Sequence, residues 1–286
     1  MFIANPIYDT VFKYLMEDNE SARLLISGII GQEIEVLSML PQENILELDT
    51  KNLTVFRMDF SARIKSPEGD KTVIIEVQKA KLAKDILRFR RYLGQQYQKK
   101  ENTFQKKINN REVHIGLPII NIYLLGYSLE NVKVPVIKVN RQYIDLTTGK
   151  EIIEREDFIE SLSHDSYVIQ IPQLHKKHQT ELEQWLSVFD QDFRTENDYF
   201  LDINEVNYPE KFKPLIKRLL KAASEPDMRK KMEAEDEILE ELQDLERVIA
   251  EKDKTIEEKD KTIEENAKIL KEKDKIIAEL KKKLNQ

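Results

Sequence analysis

The sequence predicts an α/β core in its first half, followed by a helical region and a long charged helix, and three observations carry that reading. All seven glycines lie within the first 149 residues and the last proline is Pro226, so turn chemistry, and with it a sheet, belongs to the first half. Two β-rich runs, 53–65 and 71–79, flank Ser66-Pro67-Glu68-Gly69-Asp70, which is the pattern of a hairpin. Residues 229–286 hold 15 basic and 18 acidic residues without Gly, Pro or an aromatic ring, and EKDKTIE at 251–257 and 258–264 is followed by EKDKIIA at 272–278. That repeat is a seven-residue helical frame.

In chain order, residues 6–30 read as one helix with Asp9 in its first turn. Phe12, Leu15, Met16, Leu24, Leu25 and Ile29 form its apolar positions, and Gly28 and Gly31 end it. Short β-like runs at 34–40 and 44–49 precede the hairpin. A helix from 81 to about 100 follows, with Leu82, Ile86, Phe89 and Leu93 as its buried stripe, and the nearly all-apolar run 117–125 is a strand of the buried type. This core takes residues 1–140. Residues 141–228 form a mainly helical region, in which Leu182, Trp185, Leu186 and Phe189, then Phe212, Leu215, Ile216, Leu219 and Leu220, recur at helical spacing. Trp185 reads as a core anchor, and His175 and His178 lack the third ligand that a metal site needs. In the tail, Leu242, Ile249, Ile256, Ile263, Leu270, Ile277 and Leu284 stand seven apart, whereas the companion positions turn polar at Lys252, Lys259, Asn266 and Lys273. Residues 229–286 are therefore either a weak coiled coil, making a homodimer through 238–284, or a solvated single helix carried by Glu/Lys pairs.

Composition narrows the function. The chain of 286 residues has no cysteine, which excludes disulfides, thiolate zinc sites and a cysteine nucleophile. The first thirteen residues lack a basic segment followed by an apolar stretch, and no uncharged run approaches the roughly 18 residues of a membrane span. A soluble, cytoplasmic protein without a membrane partner is expected.

Two acidic residues stand out in the hairpin. In Val73-Ile74-Ile75-Glu76-Val77-Gln78 the alternation of a strand puts Ile74, Glu76 and Gln78 on one face. On the partner run Phe56, Met58, Phe60, Ala62 and Ile64 form an apolar face, so Asp59 shares the opposite face with Arg57 and Ser61. Two carboxylates brought together in paired strands repel unless a cation sits between them, and hard oxygen ligands favour Mg²⁺ or Mn²⁺. The competing reading is an ordinary ion network with Arg57, Arg63 or Lys79. Directly after this strand, residues 79–111 carry eleven basic residues against two acids, in a chain whose net charge is −7. Lys84, Arg88, Arg91 and Gln95, with Arg90 beside them, line the helix face away from its apolar stripe. Such a concentration suits a polyanion, because Lys and Arg bind phosphates by releasing counterions; the plainer alternative is a solvated helix face.

Asp59, then Glu76-Val77-Gln78 on the next strand of an αβββαβ unit, then a basic helix, resembles the core of the PD-(D/E)XK nucleases. With Tyr8-Asp9-Thr10-Val11-Phe12-Lys13, Arg88-Phe89-Arg90-Arg91-Tyr92 and the segment holding Trp185, residues 4–235 resemble the branch comprising recombination-promoting nucleases and PD-(D/E)XK nuclease-family transposases. The resemblance implies a restriction-endonuclease-like fold with a mixed sheet, and a Mg²⁺-dependent endodeoxyribonuclease, with Mn²⁺ as substitute, whose catalytic residues are Asp59, Glu76 and Gln78. Asp59 and Glu76 would hold the metal. Asp9, Lys13 and Lys79 are candidate auxiliary residues, and Lys84, Arg88, Arg90, Arg91 and Gln95 the DNA-binding set. Met58 replaces the proline of the signature and Gln78 its lysine, so the ammonium normally present there is missing; Lys13 or Arg90 is the expected substitute, and Asp9 is expected to be a helix cap or an i,i+4 partner of Lys13. Recombination or transposition is implied by the branch's name alone. The rival expectation is a nucleic-acid-binding or assembly protein that keeps the fold without turnover.

Overall fold

A computed structural model describes residues 1–39, 60–66, 69–81, 85–108, 110–174 and 180–284. They divide into two compact units, Met1–Ile238 and Leu239–Gln286.

The first unit opens with β1 (Phe2–Ala4) and two helices, α1 (Asp9–Met16) and α2 (Asn19–Ile30). The sequence pattern predicts a single helix here. The break falls at Asp18, whose carboxylate accepts the Ser21 N–H at 2.9 Å and so caps a second helix start. Gly28 lies inside α2, where a Cβ would meet the Trp185 ring at 3.0 Å, and the helix ends at Gly31 with φ of 70°. Then come β2 (Val36–Met39), β3 (Phe60–Ser66) and β4 (Gly69–Gln78), an antiparallel set whose register runs from Ser66↔Gly69 to Phe60↔Ile75. The hairpin is thus as expected, with a tighter turn. The strand expected at 44–49 and the first part of the run 53–65 lie outside the described residues, as do His175 and His178.

Helix α3 (Asp85–Gln98) follows, then a hairpin of β5 (Thr103–Ile108) and β6 (Arg111–Gly116), then β7 (Ile119–Leu125). The buried line of α3 is Phe89, Leu93 and Gln96, and Ile86, expected in it, is 60% exposed. The segment expected to be mainly helical is woven into the sheet instead. It holds β9 (Tyr143–Asp145), β10 (Lys150–Ile152), α4 (Asp157–Leu162), β11 (His164–Gln170), α5 (Glu181–Leu186), β12 (Phe200–Asp202) and α6 (Lys213–Ser224), just after β8 (Val136–Val139). The six-stranded mixed sheet has the order β2-β3-β4-β7-β11-β8, with β4, β7 and β11 parallel to one another. Because β11 sits between β7 and β8, residues on both sides of position 140 build one sheet, and no boundary divides the unit there.

Both faces of the sheet are covered, as a parallel centre requires. On one face Val73, Ile75, Ile122 and Ile169 join Phe12 and Leu15 of α1, Leu25 of α2, and Leu215 and Leu219 of α6 in the main core, with Trp185 against Phe212 as the expected anchor. On the other face α3 makes a smaller core of Phe89 and Leu93 on Ile74, Ile119 and Tyr123. The first turns of α7 (Met228–Leu284) belong to this unit, with Met228 and Met232 buried.

The second unit is helical. Ile249, Ile256, Ile263, Leu270 and Ile277 of its seven-residue series are exposed, as are the neighbouring Leu245 and Val248. Among the described residues, no helix is long and apolar enough to cross a membrane.

Candidate active site

Strand alternation delivers Glu76 and Gln78 to the α3 side of β4, beside Ile74, as the sequence pattern predicts. Both are buried, at 4% and 7% exposure, and they lie toward the carboxyl ends of the parallel strands. In register with Glu76 on β7 is Tyr123, whose phenol is pushed well above its ordinary pKa by burial and then by the Glu76 charge. The Tyr123 ring stands 4.4 Å from that of Phe89, so α3 roofs this row.

Gln78 is held at two points. Its Oε1 accepts the Tyr127 hydroxyl at 3.0 Å, and its carbonyl accepts the Gly126 N–H at 2.7 Å. Position 126 must be glycine, because a Cβ would lie 2.3 Å from the Lys79 carbonyl oxygen. The close approach fixes the ends of β4 and β7 together and aims the Gln78 NH₂ as the donor left for a further partner.

One row back on the same face, Ser61 of β3 and Asn121 of β7 flank Ile74 in register. Asn121 has no exposure at all, and neither its Nδ2 nor its Oδ1 has a hydrogen-bond partner; the same holds for Oγ of Ser61, at 4% exposure. An orphaned buried polar group costs about 1–3 kcal/mol. The opposite face of these strands is apolar, with Val73, Ile75, Ile120 and Ile122. Sequence reasoning missed Asn121, Tyr127 and Gly126; the signal for Asn121 was one amide inside Ile119-Ile120-Asn121-Ile122-Tyr123.

Asp59 lies outside the described residues, which end at Phe60, opposite Ile75. Among the described residues, no group of three or more His, Cys, Asp or Glu is gathered tightly enough to hold a metal.

The auxiliary residues sit on the α1 side. Lys79 alternates away from Glu76, pairs with Asp236 of α7 and rests 3.6 Å above the Tyr8 ring, while the Tyr8 hydroxyl donates to Asp236 at 2.8 Å. Lys13 pairs with Asp9 at 2.8 Å, the expected i,i+4 contact. The cap of α1 comes from elsewhere. Both oxygens of Glu235 accept its first N–H groups, from Asp9 at 2.8 Å and Thr10 at 2.7 Å. Burial, reinforced by the Asp9 charge, pushes the Glu235 carboxyl up to about 7.

Of the residues assigned to nucleic acid, Arg90 and Gln95 are exposed on α3; Lys84 and the side chains of Arg88 and Arg91 lie outside the described residues. The β5–β6 hairpin, which the sequence reading did not foresee, carries three more residues of the basic segment: Lys106, Lys107 and Arg111 are exposed on it, with Lys106 paired to Asp157. Its turn signal was Asn109-Asn110, the latter with φ of 61°.

The chain finds no match among protein-family models, among curated proteins or among solved structures.

Proposed function

We propose that the chain is a metal-dependent DNA endonuclease of the PD-(D/E)XK type, with Asp59 and Glu76 holding Mg²⁺ or Mn²⁺ and Gln78 as the polar group beside them. The observation that carries this reading is Glu76 itself: a carboxylate at 4% exposure in the middle of a mixed sheet, on one face with Gln78 and with the orphaned Ser61 and Asn121. The donor set suits a hard ion, since Mg²⁺ takes one or two carboxylates and keeps several waters. Such an ion, when bound, supplies Lewis acidity at the scissile phosphate. The chain's own part is to present the two carboxylates, to donate from the Gln78 NH₂ to a water or phosphate oxygen, and to hold the DNA backbone with Lys84, Arg88, Arg90, Arg91 and Gln95. Exposed Lys107 and Arg111 on β6 and its partner strand extend that basic surface.

One observation favours the rival reading, a nucleic-acid-binding protein without turnover. The ammonium next to the motif, Lys79, is engaged by Asp236 and Tyr8, and Gln78 brings no charge in its place. Supercoiled plasmid incubated with Mg²⁺ or Mn²⁺ separates the two. The nuclease nicks or linearises it, and Asp59→Ala and Glu76→Ala each lower the rate by at least about 100-fold, since each removes a charge from the ion's site. DNA retention without cleavage in either metal establishes the binding protein.

A further inference from the structure

We infer that Asn121 is a positioning residue of the same site, acting with Ser61 to hold the Glu76 carboxylate through hydrogen-bonded water; this rests on the metal-site reading above. Ser61, Ile74 and Asn121 form one row across β3, β4 and β7, and Glu76 and Tyr123 form the next row on the same face. Ser61 and Asn121 are thus the diagonal neighbours of Glu76 on the two flanking strands, roughly 7–8 Å away and within reach of a single bridging water.

Burial makes the placement informative. Asn121 is fully buried under the face that α3 covers, and its amide has neither donor nor acceptor satisfied. Ser61 adds a second orphan hydroxyl in the same row. On Asn121's own face of β7 its neighbours Ile119 and Tyr123 pack into the small core under α3, so packing alone has no use for an amide at 121. Leucine has nearly the same shape and none of the desolvation penalty. A fold that keeps a polar group where an apolar isostere would be more stable keeps it for what the group does. The two orphan groups flank the carboxylate one row away, and hydrogen-bonding partners of metal-ligating carboxylates commonly set affinity by 10–100-fold. The amide is sealed from the substrate side, so it acts on Glu76 and not on the nucleic acid.

The test uses the full chain and Mn²⁺ alone as probe, titrated by electron paramagnetic resonance, with thermal unfolding of each metal-free variant alongside. Glu76→Gln abolishes binding at the site and anchors the assignment. Asn121→Leu is expected to unfold at the same temperature as the parent or higher, yet to bind Mn²⁺ about tenfold more weakly. Asn121→Ser, which restores a polar group and room for water, recovers part of the loss, and Ser61→Ala, too small a change to unfold the chain, weakens binding a few-fold. A merely structural amide gives the reverse: Asn121→Leu melts earlier and, with Ser61→Ala, binds Mn²⁺ as the parent does, which overturns the inference while leaving Glu76 as ligand. Equal Mn²⁺ binding by the parent and Glu76→Gln overturns the metal site, and the inference with it.

Discussion

Glu76 is costly where it stands, and its surroundings say which cost is being met. A carboxylate at 4% exposure beside Tyr123 and beneath Phe89 needs compensation, and its face of the sheet carries the polar groups of Gln78, Ser61, Asn121 and Thr72. Gln78 in turn depends on Gly126, whose N–H reaches the Gln78 carbonyl and whose missing side chain admits the Lys79 carbonyl. Gly126→Ala is therefore expected to destabilise the chain by about 3 kcal/mol in urea unfolding, because the contact is with backbone and cannot be relieved by rotating a side chain. An unchanged midpoint would mean that the ends of β4 and β7 are not pressed together. Residue-level chemistry was legible in the sequence where it followed alternation, as for Glu76 and Gln78. It was illegible for Asn121 and Gly126, whose significance comes from a neighbouring strand far away in the chain.

At the level of elements, the hairpin and its faces were legible because a strand's period of two is local: Phe60, Ala62 and Ile64 do enter the main core. The two-helix start was not, since one aspartate, Asp18, caps a second helix, while the apolar periodicity runs through the break. The strands in 141–228 escaped for another reason: β11 has polar residues in His164-Asp165-Ser166 and becomes a strand only because β7 and β8 offer it partners on both sides. The contact of α7 with α1 has a consequence for pH. Glu235 titrates near 7 when folded and near 4.5 when unfolded, so the native state binds more protons between those values and stability from this group falls as pH rises from about 5 to 7.5. His164, held below its ordinary pKa by burial and by Arg141, acts in the opposite sense in much of that window, so the comparison must be with Glu235→Gln. The difference in stability, parent minus variant, should shrink by about 2 kcal/mol across that range. A difference that is flat with pH would show that burial and the Asp9 charge do not raise the Glu235 carboxyl as the packing of α7 on α1 implies.

The whole molecule comprises a compact unit of mixed α/β architecture and a charged helix with a seven-residue apolar series. That series was fully legible, since it is a repeat, but a repeat does not say whether a second copy covers it. Exposed Ile256 and Ile263 supply the means of self-association, and two active sites related by a two-fold axis would suit cutting both DNA strands. Ile256→Lys with Ile263→Lys should turn a dimer into a monomer in sedimentation equilibrium at micromolar concentration without lowering the melting temperature of the first unit; a parent that is monomeric there refutes the dimer. Everything functional still depends on Asp59 and Glu76 meeting at one ion. The direct measurement is anomalous diffraction from crystals grown with Mn²⁺. A single strong peak about 2.1 Å from carboxylate oxygens of both residues is the outcome the account requires. Carboxylates facing opposite sides of the sheet, or a peak that neither touches, would contradict it.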